Sequence, residues 1–391
     1  MPIHPDRWKS LYERYKDDRP RRMLALDGGG IRGLITLGIL ERIEKLVKQK
    51  TGGQLCEYFD YIAGTSTGAI IAAGLARGMT VADLIEFYTS CGKQMFDPSS
   101  IIERLKYLYT ADPLKLKLQE VFGHDTTLAP ENMRCLLLVV TKNVTTDSPW
   151  PISSNPDAKY NDPSIAGCNL KIPLWQLVRS STAAPVYFPP EIVQFDQADQ
   201  SMTFVFVDGG VTPYNNPAFL LYRMATEPAY KLEWKKGEHD LLLISVGTGA
   251  AESLGVTAVR PNKNILLNVA GLPSDLMYGS QIDQDINCRT IGRCTSGAPL
   301  DSEVLDLVPR EPDGNTGDYK PMPLSRDLGR HFLYARYNAD LSPWGLTKLG
   351  FPQVDVANIQ KMDAVENILV LTEIGRAAGQ SVSPDHFGTF L

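Results

Sequence analysis

Three short glycine-bearing stretches hold the residues of this chain whose types and spacing could do chemistry. The pentapeptide Gly64-Thr65-Ser66-Thr67-Gly68 sets a serine in G-x-S-x-G, between Tyr58 to Ala63 (YFDYIA), which reads as a strand, and the small-residue run Ala69 to Ala76. A strand running into a helix through such a turn is what a nucleophile elbow needs. The glycines allow the chain to bend sharply and lift the hydroxyl clear of the sheet. The helix behind the serine points its positive end at a developing oxyanion. The same pentapeptide also suits an ordinary tight turn between strand and helix.

The second stretch is Asp27-Gly28-Gly29-Gly30-Ile31-Arg32-Gly33, again between a strand (Met23 to Asp27) and a helix. It satisfies G-x-G-x-x-G through Gly28, Gly30 and Gly33, which opens a dinucleotide reading. Bare N–H groups at a helix start accept any anion, pyrophosphate or oxyanion alike. No acidic residue ends a following strand about 20 residues on, where a ribose contact would stand. The next strand runs into the Ser66 turn instead. An anion site, a nucleotide site and a structural turn all stay open for this stretch.

The third is Asp208-Gly209-Gly210, directly after the run Thr203 to Val207. Alone it is a common turn. At a strand end on the same edge of a sheet as the other two, its carboxylate could hydrogen-bond Ser66 and take its proton. Asn215-Asn216-Pro217 reads as turn residues on that rim. A histidine base is the other arrangement to weigh. The chain has five: His4, His124, His239, His331 and His386. One of the last three could complete a Ser–Asp–His order, but none follows a recognisable strand end, and surface positions are expected for them.

The elements that must position these residues read as alternating strands and helices. Ile39, Leu40, Ile43, Leu46 and Val47 recur at helical spacing, and Gly52-Gly53 ends that helix. Cys135 to Thr141 and Leu241 to Val246 are unbroken apolar runs, suited to strands covered on both faces. Such alternation predicts an α/β protein with a three-layer α/β/α architecture and a mostly parallel central sheet. Ser148 to Gly167 and residues 309–324 read as surface loops, and Ile359, Met362, Val365 and Leu369 as a late amphipathic helix stopping near Gly375 to Gly379.

Composition excludes several function classes. The chain has 391 residues, with 45 acidic against 39 basic and a net charge of −6. That balance argues against a nucleic-acid binder, while a local cationic patch for anionic lipid is compatible with it. The charged stretch Met1 to Arg22 is no signal peptide, and no run reaches the roughly 18 apolar residues of a membrane span. A cytoplasmic protein with transient, peripheral membrane contact is expected. The six cysteines are scattered without a C-x-x-C pair, so neither a metal site nor a disulfide framework is expected, and no cofactor is called for.

Taken in order, GGGIRG, GTSTG and DGG resemble the patatin-like phospholipase family, and Arg179 to Phe188 (RSSTAAPVYF) resembles its proline-bearing block. Ser245 to Gly249 (SVGTG) is similar to a further strand end of that family. The resemblance covers roughly residues 20–222 as a catalytic domain, leaving 223–391 as a C-terminal extension packing on it or capping it. It implies a patatin-like fold and a Ser–Asp dyad, with Ser66 as nucleophile and Asp208 as general base. Gly29 and Gly30 become the oxyanion-hole donors, with Gly28, Gly33, Gly64, Gly68, Gly209 and Gly210 as motif glycines. Arg32 is implied either as a partner for a lipid phosphate or as a brace for its loop. The implied activity is lipid acyl hydrolysis of phospholipase A or lysophospholipase type on a phospholipid or related ester. An acyltransferase with the same dyad, an effector switched on by a small-molecule regulator, and a non-catalytic nucleotide-binding module are the alternatives.

Overall fold

The apolar runs line up side by side in one sheet. In the computed structural model, which describes residues 5–15, 18–95, 112–185, 187–196, 198–250, 265–314, 316 and 318–391, six strands run parallel. They are β1 (Arg21–Leu26), β2 (Tyr61–Thr65), β3 (Leu136–Asn143), β7 (Leu241–Val246), β8 (Arg293–Ser296) and β11 (Leu333–Tyr337), in the order β3-β2-β1-β7-β11-β8. Three antiparallel-paired strands finish the β3 end: β4 (Ser148–Ser153), β5 (Glu191–Gln194) and β6 (Thr203–Asp208). The chain after residue 222 thus supplies β7, β8 and β11 of the same sheet. His4 and Val186 lie outside the described residues.

Period-two alternation splits the strand side chains between two cores. Leu24, Leu26, Ile62, Leu137, Val139 and Ile244 face one core, under the helices Gly33–Thr51, Thr67–Arg77 and Ile368–Gly379. Met23, Ala25, Tyr61, Leu138, Leu243 and Tyr334 face the other, beneath Trp8, Trp234 and the helix Ala218–Thr226. With both faces covered, the central strands are uniformly apolar, as the unbroken runs imply. The architecture is the expected three-layer α/β/α sandwich.

Several boundaries differ from the sequence reading, each for a local reason. Where a strand is expected from Tyr58, the chain first makes the helical turn Leu55–Tyr58, held by a capping box between Gln54 and Glu57. Ser148–Ser153 is a strand and not loop, despite Pro149 and Pro151, because β4 is an edge that needs few donors. Residues 310–321 form an exposed hairpin of β9 (Arg310–Pro312) and β10 (Tyr319–Pro321). The late helix begins at Ile368, and Ile359, Met362 and Val365 precede it in short turns.

That helix ends at Gly379, within the expected stop, and Gly375 lies inside it, where the helix crosses Gly33–Thr51 against Gly38. A Cβ at Gly375 would stand 2.4 Å from the carbonyl oxygen of Ile35, and one at Gly38 would stand 2.6 Å from the amide of Arg376. Backbone on both sides leaves nothing to yield. Gly375→Ala should therefore destabilise the chain by about 1–3 kcal/mol, although alanine favours a helix over glycine by about 1 kcal/mol. Urea denaturation measures the sign.

Candidate active site

One feature of the sheet brings the first and third motifs' neighbours together. β4 occupies one edge of β3 from Leu138 to Asn143. β2 pairs with β3 from Leu136 to Val140, and β6 pairs with it from Thr141 to Asn143. The two must share the remaining edge, so they meet head to head. Thr65 ends β2 opposite Val140, and Asp208 ends β6 opposite Thr141. The side chains next to those ends fall into contact: Ser66 Oγ donates to Asp208 Oδ2 at 2.6 Å.

Ser66 sits in the left-handed half of backbone space, with φ 55° and ψ −124°. For a residue with a side chain this costs about 1–3 kcal/mol. The turn closes only because its neighbours are glycines. A Cβ at Gly64 would stand 2.0 Å from the carbonyl oxygen of Gly68, and one at Gly68 would stand 2.3 Å from that of Leu26. The Ser66 amide donates to Ser181 Oγ at 2.9 Å, and that hydroxyl donates to Val140 O at 2.6 Å. Ser181 belongs to the Arg179–Phe188 stretch, in which the sequence marks a block but no role.

Asp208 is buried. Its Oδ1 accepts from the Gly210 amide at 2.7 Å, and its own amide donates to Ala183 O. Gly209 opens the short turn that carries Gly210 into this position. Burial pushes the Asp208 carboxyl up to about 6, against the pull of the Ser66 hydroxyl, the Gly210 amide and the Arg179 charge.

The glycine loop after β1 is clamped from three directions. Gly28 N donates to Asn215 O, Thr248 Oγ1 donates to Gly28 O at 3.0 Å, and Ile31 N donates to Met362 O at 2.8 Å. Gly30 takes φ 61°, and a Cβ there would stand 2.2 Å from Met362 O. Gly33 then opens the helix. Among the described residues the amides of Gly29 and Gly30 have no hydrogen-bond partner. Gly30 lines a cavity of about 110 Å³ with Ser66, Asp208, Ile70, Phe188 and Val211, and Met277 and Met362 close it from the C-terminal part of the chain.

Arg32 does not line that cavity. Its Nη1 donates to Gly249 O at 3.3 Å, and burial pulls its pKa down to about 10. None of the four described histidines lines the cavity: His331 bonds the Tyr222 hydroxyl and His386 that of Tyr337.

A family model of patatin-like phospholipase matches residues 24–222, and all four sequence blocks lie inside it. The chain belongs to the patatin-like phospholipase family. A cGAMP-activated phospholipase of Escherichia coli is 30% identical over 243 residues, covering 59% of this chain and 63% of that protein. One of Vibrio cholerae is 30% identical, covering 63% and 68%. Patatin-17 of Solanum cardiophyllum is 31% identical, covering 60% and 62%. The match therefore spans roughly two thirds or less of most of these relatives' own length. Among solved structures, human GIVD cytosolic phospholipase A2 aligns with TM-score 0.40 and 12% identity over 96% of this chain and 60% of that one.

The patatin-like site also rests on an ion pair between Asp27, at the head of the glycine stretch, and an arginine that no motif marks. Asp27 is fully buried, and Arg336 on β11 donates to both its oxygens, at 2.8 and 2.5 Å, and to Ser245 Oγ at 2.7 Å. Burial works against the Arg336 charge, but the facing carboxylate outweighs it and holds the guanidinium above its ordinary pKa. No helix among the described residues is long and apolar enough to cross a membrane. All six cysteines are buried and free. Arg336→Leu would leave the Asp27 carboxylate buried without its cation, and stability should fall by about 3–5 kcal/mol. The double variant Asp27→Asn with Arg336→Leu should recover part of that loss in the same urea titration.

Proposed function

We propose that this chain is a lipid acyl hydrolase working through a Ser66–Asp208 dyad. The observation that carries the reading is the 2.6 Å hydrogen bond from Ser66 Oγ to Asp208 Oδ2, made on a strained elbow at the end of an apolar cavity. Ser66 Oγ attacks the ester carbonyl while its proton passes to Asp208 Oδ2. The oxyanion that forms is met by the free amides of Gly29 and Gly30 and by the start of the helix behind Ser66. Collapse breaks the ester C–O bond, and Asp208 returns the proton to the departing lysolipid oxygen. Water then attacks the acyl-enzyme, gives its proton to Asp208, and the fatty acid leaves as Ser66 Oγ is reprotonated.

An aspartate is an adequate base here because burial has raised its pKa to about 6, nearer to neutrality than a free carboxylate. The apolar lining, Ile70, Phe188, Val211 and Met362 among it, suits an acyl chain and keeps water away from the dyad. Substrate in a bilayer implies peripheral, transient membrane contact. The cGAMP-activated relatives favour a switchable enzyme over a constitutive one.

Ser66→Ala should lower kcat roughly 10⁴-fold or more, and a fluorophosphonate should add to Ser66 alone. Lipid product analysis of the wild type against this variant reads both the chemistry and the substrate. Covalent labelling elsewhere with Ser66 untouched in folded, active protein sinks the dyad. Added acceptor alcohol appearing in the product would turn the reading to acyl transfer.

The base must be ionised, so kcat/KM should rise with pH and level off above about 6, with unit slope on the acid side. The sign for stability is the reverse. A carboxyl whose folded pKa lies above its unfolded value of about 3.9 binds its proton better when folded. Its stabilising contribution is full below that value and is lost as pH rises through about 6. Asp208→Asn should therefore be inactive yet at least as thermally stable as the wild type at pH 8.

A further inference from the structure

Two parts of the chain wall the cavity at Ser66, and they differ in how far they can yield. Ile70, Tyr88, Leu114 and Phe188 are each no more than 5% exposed and belong to the core. Ile70 stands one turn beyond Ser66 on the helix Thr67–Arg77, and the Tyr88 hydroxyl donates to Thr67 O at 3.3 Å. Close-packed side chains of this kind have no room to retreat. Met277 and Met362 complete the wall and are half-buried. Both come from after residue 222: Met277 from the helix Ile265–Ile291, and Met362 from the turns before Ile368–Gly379.

The two methionines stand beside the two halves of the reacting centre. A Cβ on Gly210, whose amide supports Asp208, would lie 3.4 Å from the Met277 methyl carbon. A Cβ on Gly30, whose amide has no partner among the described residues, would lie 2.9 Å from Met362 Cβ. The space left between these side chains and the core is about 110 Å³. A dry apolar cavity of about 150 Å³ takes one benzene ring, so on the same scale this one takes roughly four carbons. A palmitoyl chain overfills it several times. Extra length has to come from the methionines, whose unbranched thioether chains repack readily where the core residues cannot.

We propose that Met277 and Met362 set an upper limit on the acyl group, so that the preferred substrates are esters of short-chain acids. This selectivity rests on the hydrolase reading above. It gives the C-terminal part of the chain a role distinct from its grip on the glycine loop. That grip runs through the backbone carbonyl of Met362, which accepts from Ile31 N, and not through its side chain. Truncating either side chain therefore enlarges the cavity without cutting that hydrogen bond. In an apolar pocket a single methylene accepted or refused shifts kcat/KM by roughly tenfold or more, so the limit is steep.

Hydrolysis of p-nitrophenyl butyrate, octanoate and palmitate by the full chain reads the limit as a ratio of kcat/KM values. Butyrate should be favoured over octanoate at least roughly tenfold, and over palmitate further still. Met277→Ala and Met362→Ala should each raise the octanoate-to-butyrate ratio at least roughly tenfold. Met277→Leu and Met362→Leu, which conserve volume, should keep the wild-type order. Where circular dichroism shows an alanine variant unfolded, valine in its place should move the ratio the same way. A wild type that prefers octanoate or palmitate overturns the limit, and unchanged ratios in the folded variants overturn the part given to the methionines. Ligand-observed NMR on the Ser66→Ala variant repeats the comparison without turnover, with methyl propyl ketone and methyl heptyl ketone as probes. Adding Met277→Ala should tighten the heptyl ketone at least roughly tenfold and the propyl ketone far less. Equal shifts for both overturn the limit. No hydrolysis of any ester, with that ketone pattern intact, counts against the hydrolase reading and leaves the limit standing.

Discussion

A strand has two edges, and β3 has three partners. With β4 along one edge, β2 and β6 are left to divide the other, and they do so by meeting end to end at Val140 and Thr141. Hydrogen-bond geometry then fixes the distance between the two chain ends within a fraction of an ångström. The contact between Ser66 and Asp208 is a consequence of that division of an edge. A parallel β6 stacked as one more strand of the sheet would carry Asp208 at least one strand spacing, about 4.8 Å, further away.

Holding this arrangement costs free energy in three places. Ser66 has a positive φ, Asp208 keeps a carboxylate out of water, and Asp27 keeps a second one fully buried. Ser66 and Asp27 are held by distant parts of the chain, and Asp208 by an amide two residues on. Ser181 ties the Ser66 amide to β3, the Gly210 amide supports Asp208, and Arg336 neutralises Asp27. The C-terminal third takes part directly: Thr248, Met362 and Arg336 grip the glycine loop and its strand. Sites that are strained locally need such support, and here it comes from the sheet and from loops packed over its rim.

How much of this could be read beforehand follows from what each signal depends on. The central strands were legible because burial on both faces leaves only apolar residues, as in Leu241 to Val246. The elbow was legible because its steric demand falls on residues adjacent in sequence, Gly64 and Gly68. β4 was hidden by two prolines that only an edge position tolerates. The late helix starts at Ile368 and not at Ile359, because Ile359, Met362 and Val365 share its apolar spacing but lie in short turns before it, while its end at Gly379 falls within the expected stop. Arg336 had no signal, and Met362 only that of an apolar helix position, since nothing in their spacing reports a partner hundreds of residues away.

Local backbone geometry and the covering of strands are decided by neighbours along the chain, so the sequence alone determined the layer order, the serine elbow and the glycine turn after β1. The pairing of Ser66 with Asp208 depends on which edge of β3 each strand takes. The raised pKa of that carboxyl depends on what is packed around it. Both are properties of contacts between segments far apart in the chain, and only the tertiary structure decided them.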